Sequence, residues 1–390
     1  MDLQENLASL ILQGYITRRR FLMTTTIGTR IKTLREERKL SQDDLSRAFG
    51  FKDRQTLSAI ETGERRVAAD ELLRAVQIFG VPLDYFTDPF MLAGEGRFSW
   101  RQTGVDGDKL RSYEEAAGRL IAAFRTLGRQ VGHKPPLLRP ALSLSKQSTY
   151  EEAIADGERF AAEFELGEVP AVRLAEVMET KLDMLVLMVD PIEGVSGAAC
   201  QLPELDVVLI NRNEVPGRRH FDLAHELFHI LTWEKMPPEH IEEAMPIKRS
   251  RIEQLADNFA SALLMPSPVL DRFGDWAQLI DEALVDRLNG VADELLVTSQ
   301  ALRWRLVGMG RISRAQNQTI SDDSLRNNGR NKPAKQAPPA LFSKPFVQIV
   351  ATALDEGKTS MRRMASILGV AIDDFAELFA QHGVDAPYEL

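Results

Sequence analysis

Residues 216–233 are apolar at Phe221, Leu223, Ala224, Leu227, Phe228, Ile230 and Leu231. That density leaves few polar positions and predicts a helix buried around most of its girth, with its polar residues facing an internal cleft. A second helix is expected from Arg251, with Ile252, Leu255, Phe259, Ala262 and Leu263 as its apolar stripe and Pro266 marking its end. Upstream, Ile31 and Leu34 suggest an amphipathic helix. Ser41 is placed to cap another helix, through Asp43, Leu45 and Ala48, that Gly50 ends. Further helices are expected around 54–62, 70–79, 82–86, 113–127, 150–166 and 171–181, and strands at 184–189 and 207–212. Residues 94–96 and 104–107 read as turns, and 291–307 as a helix–turn–helix-like pair with Ser299 as cap. The polar, Asn- and Pro-rich residues 313–340 read as a flexible linker, and the tail from Phe342 as two or three helices. The fold class is therefore mostly α with a small β-sheet.

The buried helix carries His225-Glu226-Leu227-Phe228-His229. At about 3.6 residues per turn the two histidines share a face and can grip one metal ion, with Glu226 beside the first as general base toward a water on the metal. A helix with two hydrogen-bonded histidines would show the same letters, so a third ligand decides between the readings. Glu253 can supply it as a carboxylate. Asp257, one turn on, can accept from the free ring nitrogen of a ligating histidine and fix its tautomer. His220, His240, Arg218 and Arg219 are candidates to stabilise an oxyanion, and spacing does not choose among them. The strand at 207–212 could offer an edge to an extended substrate.

With residues 194–200, 207–212, the run from Pro216 to His229 and Glu253-x-x-Ala256-Asp257-x-Phe259-Ala260-x-x-Leu263-Leu264-Met265-Pro266, the region about 140–312 resembles the ImmA/IrrE metallopeptidases. The resemblance implies a zincin-like peptidase domain with one Zn2+ per chain, bound by His225, His229 and Glu253, and Glu226 as catalytic base. Asp257 stands where that family often has Asn. Residues 40–50 and 56–63 resemble the lambda-repressor-like (XRE) helix-turn-helix family, which implies a five-helix DNA-binding domain whose motif's second helix enters the major groove of an operator. Arg54, Gln55, Thr56 and Ser58 are then the candidate base readers. Gln42 would contact or brace the backbone, and Arg65 would meet phosphate. The turn containing Phe51, Lys52 and Asp53 is one residue longer than usual in that family, which can shift the readers by one.

Composition narrows the setting. At 390 residues and 44% hydrophobic, the chain holds two or three domains. The expected division is an N-terminal extension (1–27), the DNA-binding domain (28–90), a helical connector (91–139), the peptidase domain (140–312), the linker (313–340) and a small C-terminal helical domain (341–390). The single cysteine, Cys200, excludes an internal disulfide and suits the cytoplasm. No apolar run reaches the length of about 20 residues that spans a membrane. Thr17-Arg18-Arg19-Arg20-Phe21-Leu22 imitates a twin-arginine export signal, but polar residues follow it, and Met23 is an alternative start. A net charge of −9 argues against the whole protein being a nucleic-acid coat, though not against one DNA-reading module.

The function expected is a DNA-binding regulatory zinc metallopeptidase that cleaves a protein, a helix-turn-helix repressor by family analogy, with a homodimer as the default assembly. The alternative is a non-cleaving XRE regulator, or an antitoxin whose partner is a cognate toxin, using the peptidase fold as sensor or platform.

Overall fold

The computed structural model describes residues 16–20, 26–134, 138–243, 250–332 and 337–387. Met23 and the rest of residues 1–15 and 21–25 lie outside them. In chain order the first strand is β1 (Ile16–Arg20), which pairs antiparallel with β3 (Leu138–Leu142). The expected extension thus contributes backbone to a two-stranded ribbon.

The amino-terminal module consists of α1 (Thr26–Glu37), α2 (Gln42–Phe49), α3 (Arg54–Glu61), α4 (Ala69–Phe79) and α5 (Leu83–Thr87). Ser41 caps α2 in a reciprocal pair with Asp44, and Gly50 ends it at φ +74°, a conformation glycine adopts without steric cost. Ile31, Leu45, Phe49, Leu57, Ile60, Phe79 and Phe86 close a small core of their own.

The remainder is built on a sheet in the order β4-β6-β5-β2-β7, with β2 at Arg97–Gln102, β4 at Leu185–Val189, β5 at Val195–Gln201, β6 at Asp206–Asn211 and β7 at Ile241–Glu243. Between and after these strands run α6 (Gly107–Gln130), α7 (Tyr150–Glu163), α8 (Pro170–Thr180), α9 (Pro216–Thr232), α10 (Arg251–Leu264), α11 (Ser267–Asp271), α12 (Asp281–Glu294) and α13 (Ser299–Gly308). Short helices α14 (Arg314–Thr319) and α15 (Asp322–Leu325) follow, then α16 (Lys344–Asp355), α17 (Met361–Leu368) and α18 (Phe375–Gln381).

Strand alternation sorts the two faces. Val186, Ala199, Val208 and Ile210 join Leu223, Leu227, Phe228, Leu255 and Phe259 of α9 and α10 in one core. Leu187, Ala198, Cys200, Val207, Leu209 and Trp100 join Ile121 and Leu127 of α6 and Phe346, Met364 and Phe375 of the tail in the other. The molecule beyond residue 90 is therefore three layers deep, with the sheet in the middle.

Several expectations change here. The strand expected at 207–212 has no free edge, because β4 pairs with one side of β6 and β5 with the other. The connector supplies β2, an interior strand of the sheet, with Trp100 fully buried. The tail is helical as expected but shares its core with the sheet, so it is not a free-standing unit. Residues 313–332, expected as flexible linker, form α14, α15 and a 3-10 turn pinned by Ile320 and Leu325 in the first core. The Asn328 side chain bonds Ser299 N at 2.9 Å and Asp293 at 2.9 Å. Thr298, not Ser299, caps α13, because it is the Thr298 oxygen that accepts from the Ala301 backbone.

Candidate metal centre

Pro216 opens α9 at a position that needs no N–H partner, and Gly217 lets the helix start against the backbone of Val297 and Thr298. A Cβ at Gly217 would lie 2.5 Å from Val297 C. From Asp222 to Thr232 every residue of α9 is buried, and His225, Glu226 and His229 are at most 1% exposed. Packed edge to face, the imidazoles of His225 and His229 bring their Nε2 atoms to 3.1 Å.

The third group arrives from α10. Ser250 caps that helix by accepting from Glu253 N, which fixes Glu253 in its first turn. The Glu253 carboxylate then reaches His225 Nε2 at 3.2 Å and His229 Nε2 at 3.2 Å. Asp257 Oδ1 lies 3.1 Å from His225 Nδ1. With the proton on Nδ1, toward Asp257, His225 Nε2 would present a lone pair to a metal ion shared with His229 and Glu253. Two ring nitrogens and a carboxylate converging on one point make an arrangement that a cation would satisfy. His225, His229 and Glu253 offer three ligand atoms within 4.8 Å of one another, close enough to hold a metal ion. Two imidazoles and a carboxylate suit zinc.

Burial pushes the Glu226 carboxyl above its ordinary range, opposed by the charges of His229, His225 and Arg101. Its Oε1 is buried without a hydrogen-bond partner. Burial acts on Glu253 in the same upward sense, but His225 and His229 outweigh it and hold that carboxyl well below the usual range.

A cleft of about 950 Å³ opens beside this cluster, lined by Arg101 and Ser196 of the sheet, Phe221 and Asp222 of α9, Asp257 of α10 and Trp304 of α13, among others. Arg101 on β2 and Asp222 on α9 were not singled out from the sequence. They form a buried pair, Nε to Oδ1 3.5 Å. Asp222 stands one turn before Glu226 in an otherwise apolar stretch, and a buried acid there signals a partner.

The four oxyanion candidates fare unequally. His240 bonds Glu114 at 2.7 Å, on α6, which covers the opposite face of the sheet. Arg219 is bound to the carbonyls of Arg212 and Glu214, closing the turn into α9. Arg218 is half-exposed and pairs with Glu214 at 3.6 Å. The His220 ring is tied to Leu296 O at 2.9 Å.

In the amino-terminal module, Arg54 and Gln55 stand exposed at the start of α3, and Ser58 is half-buried. Thr56 is held by the Asp53 cap through both its backbone N–H and its hydroxyl. Gln42 donates to Glu61 at 2.9 Å, an acid that also binds Arg35, so Gln42 braces α2 against α3. Arg65 makes a two-pronged bond to Glu71.

Two family models match parts of the chain. Residues 31–86 match the helix-turn-helix family model, and residues 190–306 match a peptidase family described as the IrrE N-terminal-like domain. In that order the chain carries a helix-turn-helix domain and an IrrE N-terminal-like domain, which supports a DNA-binding regulator that includes a peptidase-family domain. Neither the curated proteins nor the solved structures contain a match to the chain. No helix among the described residues is long and apolar enough to cross a membrane.

Proposed function

We propose that this protein is a DNA-binding regulatory zinc metallopeptidase that cuts a protein substrate, with a helix-turn-helix repressor as the favoured target, and so controls transcription. The observation that carries the reading is the convergence of His225, His229 and Glu253 within 4.8 Å, with the buried carboxyl of Glu226 on the same helix. Zinc held there would polarise the scissile carbonyl and bring a coordinated water to a pKa of about 7. Asp257 holds His225 in the tautomer that leaves Nε2 available. Glu226, partnerless at Oε1, is placed to take the proton of the attacking water and pass it to the leaving nitrogen. The cleft lined in part by Asp257 and Asp222 is where the substrate chain would lie. Arg54, Gln55 and Ser58 would read the operator, Thr56 would support them at the α3 start, and Gln42 would set the two helices of the motif. Arg65 would meet phosphate only by sharing or leaving Glu71.

The test is metal analysis of the purified chain, followed by incubation with repressors encoded nearby, with and without chelator. Zinc near one equivalent, cleavage lost with chelator, and cleavage lost in Glu226→Gln with zinc retained are expected. Full cleavage by Glu226→Gln would refute the mechanism. Operator binding without cleavage of any candidate would favour the non-cleaving regulator.

A further inference from the structure

Trp100 packs on the tail side of the sheet, so its neighbour Arg101 points to the other side, toward α9. Its partner across the ladder is Gly197, and there the register steps from Gly197 to Val195, leaving Ser196 as a bulged residue. A Cβ built on Gly197 would come within 3.9 Å of Glu226 Cγ, so this corner of the sheet lies directly over the catalytic carboxylate. Arg101 is 9% exposed, and Asp222 holds its Nε side. Its Nη1 is buried, lacks a hydrogen-bond partner and belongs to a residue that lines the cleft. A buried guanidinium donor left open costs free energy unless something occupies it in use.

We infer that Arg101 is a catalytic residue that donates Nη1–H to the scissile carbonyl oxygen, with Asp222 as the positioning residue that orients the guanidinium. The assignment rests on the peptidase reading. Water adds to the carbonyl carbon while its proton passes to Glu226, and the π pair moves onto the carbonyl oxygen, where Arg101 meets the new charge. The pair then returns as the C–N bond breaks, and Glu226 gives its proton to the nitrogen.

The probe is N-phosphoryl-Leu-Trp, whose tetrahedral phosphoryl group imitates that charge, titrated calorimetrically into the zinc-loaded and the metal-free chain. Arg101→Gln should bind the zinc-loaded form roughly 100-fold more weakly, in line with loss of one oxyanion donor. Millimolar guanidinium should restore part of the binding to Arg101→Ala, which a merely structural role would not allow. Because Arg101→Gln strands the Asp222 charge, Arg101→Gln/Asp222→Asn is the second variant; it should fold and show the same loss. Unchanged affinity in either folded variant, or no binding by the zinc-loaded wild type, overturns the assignment. Zinc content, measured separately, judges the metallopeptidase reading. Should the chain take up no zinc, that reading falls. The metal-free titration then decides Arg101 alone, with equal affinity of wild type and variants counting against it.

Discussion

Asp257 shows how much a single hydrogen bond can matter at this site. Held at 3.1 Å from His225 Nδ1, it would, on the proposed reading, set which nitrogen of a buried ring presents its lone pair. Outer partners of metal-bound histidines typically contribute 10–100-fold in metal affinity. Asp257→Ala should therefore weaken zinc binding by roughly that factor, measured by competition with a chromogenic chelator. Asp257→Asn, which can still accept through its amide oxygen, should lose less; equal losses would argue against the tautomer role. A second residue-scale effect concerns stability. Burial pushes the Glu179 carboxyl on α8 up to about 7. The folded state thus holds a proton that the unfolded chain releases near pH 4.3. This contribution is complete below about pH 4.3 and is lost as pH rises through 7. The melting temperature of wild type should fall relative to that of Glu179→Gln across this window. A constant gap between the two would contradict the assignment.

At the scale of elements, the centre depends on how closely α7 lies against α10. Gly157 is the contact point, because a Cβ there would stand 2.4 Å from Phe259 O and 3.0 Å from Leu263 N. Gly157→Ala would push apart the helix that carries Glu253 and Asp257. Overpacking of this kind typically costs about 1–3 kcal/mol, so thermal melts should shift downward and chelator should strip the metal more readily. Unchanged melting and metal retention would show that α7 can give way. The two motif helices were legible from the chain because their apolar spacing and the ligand spacing coincide on one turn of helix. The helix boundaries of the amino-terminal module were legible through Ser41 and Gly50 for the same local reason. Strand β2 was not. Five of its six residues are buried on one face or the other, so exposure does not alternate with polarity, and its partner β5 lies about a hundred residues on. Arg101 was missed with it. Nor does a strand's own sequence say what flanks it, which is why β6 could be expected at an edge. Composition misled at residues 313–332, where Ile320, Leu325 and the bonded side chain of Asn328 anchor an otherwise polar stretch.

Across the whole molecule, one acid ties the DNA-binding module to the sheet layer. Glu95 precedes β2 and is buried between Arg30 of α1, at 2.7 Å, and Arg125 of α6, at 2.5 Å. Arg30 also donates to the carbonyls of Tyr85, Asp88 and Met91, and Arg125 and Arg129 both reach Glu204 in the turn between β5 and β6. From the tail, Arg363 of α17 bonds Asp88 at 3.1 Å and stacks on Phe90. Helix α1, the back layer and the β5–β6 hairpin are thereby joined through a buried centre of Arg30, Glu95 and Arg125, with Arg129 and Arg363 at its exposed rim. Replacing such a pair outright with apolar groups can be neutral, whereas removing one member strands the other charge, at about 3–5 kcal/mol. Glu95→Ala strands two arginines. Arg30 keeps its carbonyl acceptors and Arg125 keeps Glu204, so the cost should fall near the lower end, at about 3 kcal/mol. Because the link joins two separate cores, the loss should not be spread evenly. Calorimetry of Glu95→Ala should resolve a lower transition for the amino-terminal helices from that of the sheet domain, with both closer together in the wild type. If the variant instead melts in one transition shifted as a whole, the two cores are coupled by other contacts, and Arg363 with Asp88 would be the next pair to cut.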